Sequence, residues 1–275
     1  MLSFPNSKIN IGLNIIGKRN DGYHNIETIF YPITVKDALE IIESPTHDET
    51  DIIFTSSGNL ISGNTDENLC VKAYRLLKKD FPEIPSVKMH LHKNIPMGAG
   101  LGGGSSDGAA VLLLLNKKFN LNISEEKLTE YAFMLGSDCP FFLNNKPCFA
   151  EGRGEILKEI PLDLSGYKKM IVHPGIHVNT GEAFANLAPG EYSPAGMLEK
   201  AIQKDIAEWK TSIKNDFEKP VFKKYPEIEN IKLIMYENGA LYSAMSGSGS
   251  SVFGVFPHDT NINIKFPLHY FCRIV

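Results

Sequence analysis

The stretch PMGAGLGGGSSDGAA, residues 96–110, sets glycines at 98, 100, 102, 103 and 104 and then leads straight into the apolar run Ala109–Leu115. Glycine accepts positive φ, and without a Cβ it lets a ligand approach the backbone closely. Consecutive amides can therefore converge on an anion. A helix N-terminus, with its unpaired N–H groups and the positive end of its dipole, favours the same anion. The spacing predicts that helix over about Ser106–Asn116. It is apolar on nearly every side, so it is buried and its start is anchored by packing. Ser105 and Ser106 add hydroxyl groups that suit a phosphate oxygen or a metal ion. A flexible linker is the plainer alternative, but a linker does not run directly into a buried helix. The stretch is read as a phosphate-binding loop.

Two familiar loops can be tested against it. A Walker A motif needs a lysine after its last glycine, and Gly103 is followed by Gly104. The dinucleotide spacing GxGxxG fits Gly98, Gly100 and Gly103. However, that motif expects a continuously apolar parallel strand before the loop and an acidic residue about twenty positions on, after a second strand. Here Val87, Met89 and Leu91 alternate with Lys88, His90 and His92, and residues 117–127 lead into another helix. The dinucleotide reading is weak.

Outward from the loop, alternation also marks residues 9–15: Ile9, Ile11, Leu13 and Ile15 on one face, Lys8, Asn10, Gly12 and Asn14 on the other. This predicts a half-buried strand with a polar second face. A turn at Asp21–Gly22 and a second strand through Ile29 and Tyr31 follow. Leu69, Ala73, Leu76 and Leu77 mark a helix that Thr65 or Asp66 is placed to cap. Ser124 with Glu125 and Glu126 starts another, which Gly136 ends. After "EGRGE" (151–155) the pattern restarts: a strand at Lys169–His173, then a helical stripe Leu198, Ile202, Ile206, Trp209 and Ile213. A further helix through Ile228, Ile231 and Met235 closes at Gly239. The strands Ala240–Met245 and Val252–Phe256 flank a second glycine stretch, SGSGSS. The organisation expected is two domains, 1–155 and 156–275.

The bulk numbers exclude several classes. Of 275 residues, 43% are hydrophobic and 22% charged, which suits a globular protein with a real core. A net charge of −4 offers no broad basic surface, so nucleic acid is not an expected partner. Cys70, Cys139, Cys148 and Cys272 show no CxxC pair, which favours reduced thiols over disulfides or a zinc site. No signal-peptide pattern opens the sequence, and no apolar run has the length of a membrane span, so a cytoplasmic location and no membrane partner are expected. His90 and His92 share a strand face, but Lys88 shares it too and no third ligand lies nearby. For His173 and His177, "HPG" rules out one continuous helix, and with it a helical zinc pair.

The loop sequence resembles the ATP-binding motif of the GHMP kinases, the superfamily of galactokinase, homoserine kinase and mevalonate kinase. The resemblance covers essentially the whole chain. SKINIGLNIIGKRNDGYHNIETIF, LGSDCPFFL, AEGRGE, HPGIHVNTGEAF, NDFE and MSGSGSSVFGVF follow, in order, the motifs of one family within it, the 4-diphosphocytidyl-2-C-methyl-D-erythritol kinases. The glycine loop alone marks only the superfamily, whereas Lys8 with DGYH and GSDCPFF are specific to that family. The resemblance implies an α+β, two-domain GHMP kinase fold. Its N-terminal nucleotide-binding domain would be ribosomal protein S5 domain 2-like and its C-terminal domain ferredoxin-like, with the active site in the cleft between them.

It also implies a reaction: transfer of the γ-phosphoryl of ATP to the 2-hydroxyl of a cytidine-diphosphate-linked methylerythritol, in the non-mevalonate route to isoprenoid (terpenoid) precursors. Asp138 would orient the hydroxyl or accept its proton, and Lys8 beside it would lower the hydroxyl's pKa and offset charge on the moving phosphoryl group. Pro96, Met97, Gly98, Ala99, Gly100, Leu101, Gly102, Gly103, Gly104, Ser105 and Ser106 would bind ATP. Asn10, on the strand face of Lys8, would hydrogen-bond substrate, while Tyr23 would stack on cytosine and His24 bond its edge. Thr180 and Phe184 would line the substrate pocket, and Gly247 and Gly249 would form the family's third motif beside the phosphate loop. Mg²⁺ would enter with ATP, no dedicated carboxylate cage being visible, and the chain would be a monomer or weak homodimer.

This sequence departs from the family at two places. Gly108 stands where alanine is common, at a cost of roughly 0.5–1 kcal/mol in a helix. The short segment after VFGVF holds Pro257 and Pro267 where a ferredoxin-like domain has a full helix, which leaves the form of the last element open. Three other readings also stay open on the residues alone: another GHMP small-molecule kinase, a nucleotide-binding regulator without catalysis, and a NAD-dependent oxidoreductase.

Overall fold

The structure is a computed structural model, and it describes residues 1–44, 51–185 and 192–275. The chain forms strands β1 (Leu2–Ser3), β2 (Asn6–Lys18), β3 (His24–Lys36), β4 (Ala38–Glu43) and β5 (Ile52–Gly58). Then come α1 (Leu69–Asp80), β6 (Val87–Lys93), α2 (Gly103–Lys118), α3 (Glu125–Leu135) and α4 (Phe141–Asn144). Strands β7 (Cys148–Glu151), β8 (Ile156–Glu159) and β9 (Tyr167–His173) lead to α5 (Thr180–Ala185), α6 (Met197–Ala201), α7 (Trp209–Ser212), α8 (Glu218–Lys224) and α9 (Pro226–Glu237). β10 (Tyr242–Met245), β11 (Val252–Pro257) and β12 (Phe271–Ile274) complete the chain. Two compact units result, each assembled from separate stretches: Met1–Ser7, Thr34–Met97 and Gly102–Asn145 make the first, and Lys8–Ile33, Gly98–Leu101 and Lys146–Val275 the second.

In the first unit a sheet of order β1-β4-β6-β5 holds one parallel pair, β5 with β6, among antiparallel ones. β6 buries Val87, Met89 and Leu91 and exposes Lys88, His90 and His92, as its period of two requires. The exposed imidazoles meet hydroxyl groups of β5: His90 Nδ1 lies 2.8 Å from Thr55 Oγ1, and Ser57 Oγ lies 2.9 Å from both His90 Nε2 and His92 Nδ1. The buried face packs with Tyr74, Leu77, Val111, Leu115 and Tyr131 of the helices into one core.

Helix boundaries follow local chemistry, with two corrections. Asn68, not Thr65 or Asp66, caps α1, its side chain accepting from the Cys70 N–H. Thr65–Glu67 form a separate 3₁₀ turn capped by Asn64. α2 starts at Gly103 rather than near Ser106, so the last glycines of the loop are its first turn. The expected ends of α3 hold: Ser124 accepts from the Lys127 N–H, and Gly136 lies at the C-terminus. Gly108 has a packing reason, since an alanine Cβ there would stand 3.1 Å from Leu69 Cβ.

The second unit contains two antiparallel sheets. One has the order β2-β3-β7-β8. The other has the order β10-β11-β9-β12, in which the first strand of the expected ferredoxin-like arrangement sits between the third and the fourth. Residues 258–270 contain no helix, so the second crossover is irregular and the last element is the strand β12. Pro257 and Pro267 bracket the segment and disfavour a helix across it, while Ile262, Ile264 and Phe266 between them pack against the core in extended chain.

Two other expectations change here. β2 is buried on both faces: Lys8 is 3% exposed, Asn10 2% and Asn14 5%, alongside the apolar face. Gly12, at φ +69°, leaves room on the polar side for Leu198 and Ile213, whose methyl carbons would lie 2.6 and 2.7 Å from a Cβ. The stripe from Leu198 to Ile213 is not one helix. It breaks after α6, where Asp205 accepts from the Ala207 N–H to start a 3₁₀ turn and the Trp209 indole donates to the Lys204 carbonyl. A short polar side chain satisfying backbone locally competes with helix continuation.

His173, at the end of β9, is 9% exposed, and its Nδ1 lies 3.1 Å from Ser250 Oγ. Burial pulls its imidazole down to about 4. The unfolded imidazole, near its ordinary value of about 6.5, takes up a proton first. Stability from the neutral ring is therefore complete above about 6.5 and is lost as pH falls toward about 4. The urea midpoint should fall between pH 7 and pH 5, and His173→Gln should flatten that fall; an unchanged slope would assign the acid sensitivity to other groups.

Candidate active site

The glycine loop passes from one unit to the other along the chain. In the second unit, Gly98–Leu101 is stitched to two strands. The Lys8 N–H donates to the Leu101 carbonyl at 2.9 Å, and the Ser251 N–H donates to the Ala99 carbonyl at 3.1 Å. Ser246 Oγ donates to the Gly100 carbonyl at 2.8 Å and accepts from the Asn10 N–H at 3.1 Å. Gly98, Gly100 and Gly102 all have positive φ. The clearest need for glycine is at 100, where a Cβ would fall 2.1 Å from the Ser246 carbonyl oxygen. The second glycine stretch thus packs on the first, and a Cβ added at Gly247 would meet Gly100 and Asn10 Oδ1 at 3.4–3.5 Å. Gly249, at φ +97°, backs onto Met245.

Lys8 and Asn10 are adjacent on the polar face of β2. Lys8 Nζ donates to Asn10 Oδ1 at 2.5 Å and lies 4.7 Å from the centroid of the Phe30 ring. Asn10 Nδ2 donates to Thr28 Oγ1, which donates in turn to the Gly12 carbonyl. A chain of hydrogen bonds therefore fixes where the ammonium group stands.

Tyr23 is 52% exposed, and its ring lies 3.9 Å from the Arg153 guanidinium. His24 stacks on Phe184 at 4.7 Å with the rings 11° apart. Burial, then the charge of Lys18, holds the His24 imidazole below its ordinary value, which favours the neutral ring with one donor and one acceptor nitrogen. Thr180 Oγ1 lies 2.8 Å from Ser248 Oγ, so the start of α5 meets the second glycine stretch.

In the first unit, Gly102 enters α2 in the left-handed region without a side-chain cap. The first-turn N–H groups of Gly103, Gly104 and Ser105 have no intrahelical acceptor, the arrangement an anion requires. Asp138 is half-buried in the turn between α3 and α4. Its neighbour Cys139 is buried, and Ser105 is close enough to act on its thiol, which brings the Asp138 turn to the start of α2. Burial, against the pull of Ser105 and with the push of Asp138, raises that thiol to about 12, so Cys139 is no nucleophile. A cavity of about 170 Å³ opens beside the same helix start, lined by Asn64, Asn68, Leu69, Leu91, Met97 and Asp107.

Several contributing residues were not singled out in the sequence. Ser246 joins the two glycine stretches. Asn215, in NDFE, braces the second by donating from Nδ2 to the carbonyls of Met245 and Gly247, both at 2.8 Å. Arg153, in AEGRGE, covers the ring of Tyr23. All three lie inside quoted motifs, so position was legible while contact was not.

Residues 68–146 match the family GHMP kinases N terminal domain, and residues 197–272 match GHMP kinases C terminal. With both halves matched in order, the chain belongs to the GHMP kinases, ATP-dependent small-molecule kinases. It is 52% identical to the 4-diphosphocytidyl-2-C-methyl-D-erythritol kinase of Bacteroides fragilis over 262 residues, 95% of this chain and 94% of that one. To the kinase of the same name from Bacteroides thetaiotaomicron it is 50% identical over 273 residues, 99% and 98% of the two chains. The crystal structure of a 4-(cytidine 5'-diphospho)-2C-methyl-D-erythritol kinase matches with a TM-score of 0.80 at 31% identity, over 93% of this chain and 90% of that one.

Proposed function

We propose that this chain transfers the γ-phosphoryl group of ATP to the 2-hydroxyl of 4-diphosphocytidyl-2-C-methyl-D-erythritol, giving the 2-phosphate and ADP in isoprenoid precursor synthesis. The observation that carries the reading is the hydrogen-bonded cluster of Gly100, Ser246, Asn10 and Lys8, which ties the phosphate loop to the motif specific to this substrate. Phosphoryl transfer asks a protein mainly to position reactants and to stabilise charge on the in-line phosphoryl group.

Residues 96–106 hold the phosphates, and the nucleoside end of ATP takes the adjoining cavity, where Asn64 and Asn68 supply polar groups and Leu69, Leu91 and Met97 an apolar wall. Lys8 and Asp138 act on the acceptor hydroxyl, Asp138 as base and Lys8 as the cation that favours the alkoxide. Asn10 orients the substrate. Tyr23 stacks on cytosine, worth on the order of 1–3 kcal/mol in comparable systems, and His24 reads the edge of the base. Thr180, Phe184, Gly247 and Gly249 line the rest of the site.

ATP is used as its magnesium complex, which such sites hold largely through the phosphates. Among the described residues no group of three or more His, Cys, Asp or Glu is placed to hold a metal, so Ser105 and Ser106 are the protein groups offered to the ion. No helix of the described residues is long and apolar enough to cross a membrane. The working picture is a cytoplasmic monomer or weak homodimer without nucleic-acid or membrane partners.

The test is ADP release by the purified protein with Mg-ATP, comparing the cytidyl compound with homoserine, galactose and mevalonate phosphate. Turnover with the cytidyl compound alone is expected. Turnover with another acceptor would keep the kinase and overturn the roles of Tyr23 and His24. ATP binding without any acceptor-dependent release would indicate a non-catalytic regulator.

A further inference from the structure

Lys93 ends β6 at 1% exposure. Its Nζ lies between the Oδ2 atoms of Asp37 and Asp107, the latter at 2.6 Å, and neither carboxylate is more than 3% exposed. The three groups come from separate places: Asp37 from the corner between β3 and β4, Lys93 from the end of β6, and Asp107 from the start of α2. Asp37 uses its second oxygen on the backbone, where Oδ1 accepts from the N–H groups of Asn94 at 2.6 Å and Ile95 at 2.8 Å. On the other side, a Cβ on Gly103 would come within 3.0 Å of Lys93 Nζ. One charged cluster therefore touches both ends of the phosphate loop, the residues that lead into it and the helix turn that leaves it.

Energetics argue that the cluster is there for geometry. Burying an ion costs several kcal/mol even after relaxation, and apolar residues of similar volume are often as stable or more so. The loop it brackets has Gly98, Gly100 and Gly102 in the left-handed region and little shape preference of its own. A second observation points to the nucleotide. Asp107 Oδ1 is buried without a hydrogen-bond partner among the described residues, in the wall of the cavity beside the loop. Burial pushes the Asp107 carboxyl up to about 7, against Lys93 and with the help of Asp37. Burial alone would lower the Lys93 ammonium, but the two carboxylates outweigh it and raise it, so it stays charged.

We propose that Asp37, Lys93 and Asp107 are positioning residues for ATP, a buried ionic clamp that sets the spacing between the two ends of the phosphate loop. This rests on the kinase reading above. The decisive variant is Lys93→Met with Asp107→Leu. It leaves Asp37 as the sole charge of the cluster, and the bridge to the start of α2 is gone. The melting temperature should fall, because Asp37 Oδ2 loses its ammonium partner, while in the folded variant KM for ATP should increase about tenfold and KM for the acceptor should stay within about twofold. Asp107→Asn, which keeps the shape and removes the charge, should raise KM for ATP in the same direction by about threefold. A folded double variant with the wild-type KM for ATP overturns the clamp. If the double variant does not fold, an unchanged KM for ATP in Asp107→Asn overturns it alone. If the wild type turns over no acceptor, the kinase reading fails separately, and a direct ATP-binding titration of the same variants still decides the clamp.

Discussion

Lys8→Met and Asp138→Asn are each expected to lower kcat by about 10²–10⁴-fold, the range general acid–base help is worth, while ATP binding changes little. Both substitutions keep side-chain volume and remove only the proton or charge chemistry. Lys8 is buried, with its ammonium on Asn10 Oδ1 and near the Phe30 ring, so an alanine would confound lost charge with lost packing. Methionine fills the same channel, and its melting temperature gives the control. Asp138 lies in the turn whose next residue, Cys139, meets Ser105, so its loss should leave the helix start in place. If the two residues act on one hydroxyl, the double variant should fall little further than the worse single variant, because groups that work as a unit are strongly non-additive. Wild-type kcat in either single variant would remove that residue from the chemistry.

Gly100→Ala should abolish measurable ATP binding and lower stability by about 3 kcal/mol or more, at the severe end of single substitutions. Two costs combine. An alanine at φ +76° sits in the left-handed region, which costs a residue with a side chain about 1–2 kcal/mol. Its Cβ would also fall 2.1 Å from the Ser246 carbonyl oxygen and 3.1 Å from that of Gly249. Both are backbone atoms, so relief requires the two glycine stretches to part, and the Ser246 hydrogen bond to the Gly100 carbonyl parts with them. Gly175→Ala separates the terms. Its φ of +80° is similar and nothing lies within 4 Å of the added Cβ, so it should cost only the conformational part and leave ATP binding intact. Equal effects at the two positions would mean that close packing of the loops is not what Gly100 serves.

These contrasts show where sequence reading reaches its limit. The loop, the capped ends of α3 and the alternation of β6 were legible because each is written in residues close together in the chain. A serine before two glutamates satisfies N–H groups within one turn, and a period of two needs no partner to be seen. The family motifs carried the rest of the identification, since SGSGSS or AEGRGE has no evident meaning on propensity alone. The polar face of β2 misled for the opposite reason. Lysine and asparagine read as solvated, yet here Ser246 lies 236 positions beyond Asn10 and closes over that face. The stripe from Leu198 to Ile213 had helical spacing, and one aspartate at 205 was enough to divide it.

What the sequence by itself determined is the chemistry on offer: a phosphate-binding loop before a buried helix, a lysine strand, an aspartate turn, and two domains' worth of alternating elements. Only tertiary structure decided which backbone atoms crowd Gly100, that both faces of β2 are dry, and that Lys93 is locked between two carboxylates rather than waving in water. Local propensity acts over a few residues, whereas burial and ion pairing depend on which distant segments arrive at the same place. Asp37 and Lys93 are 56 positions apart, and no periodicity links them.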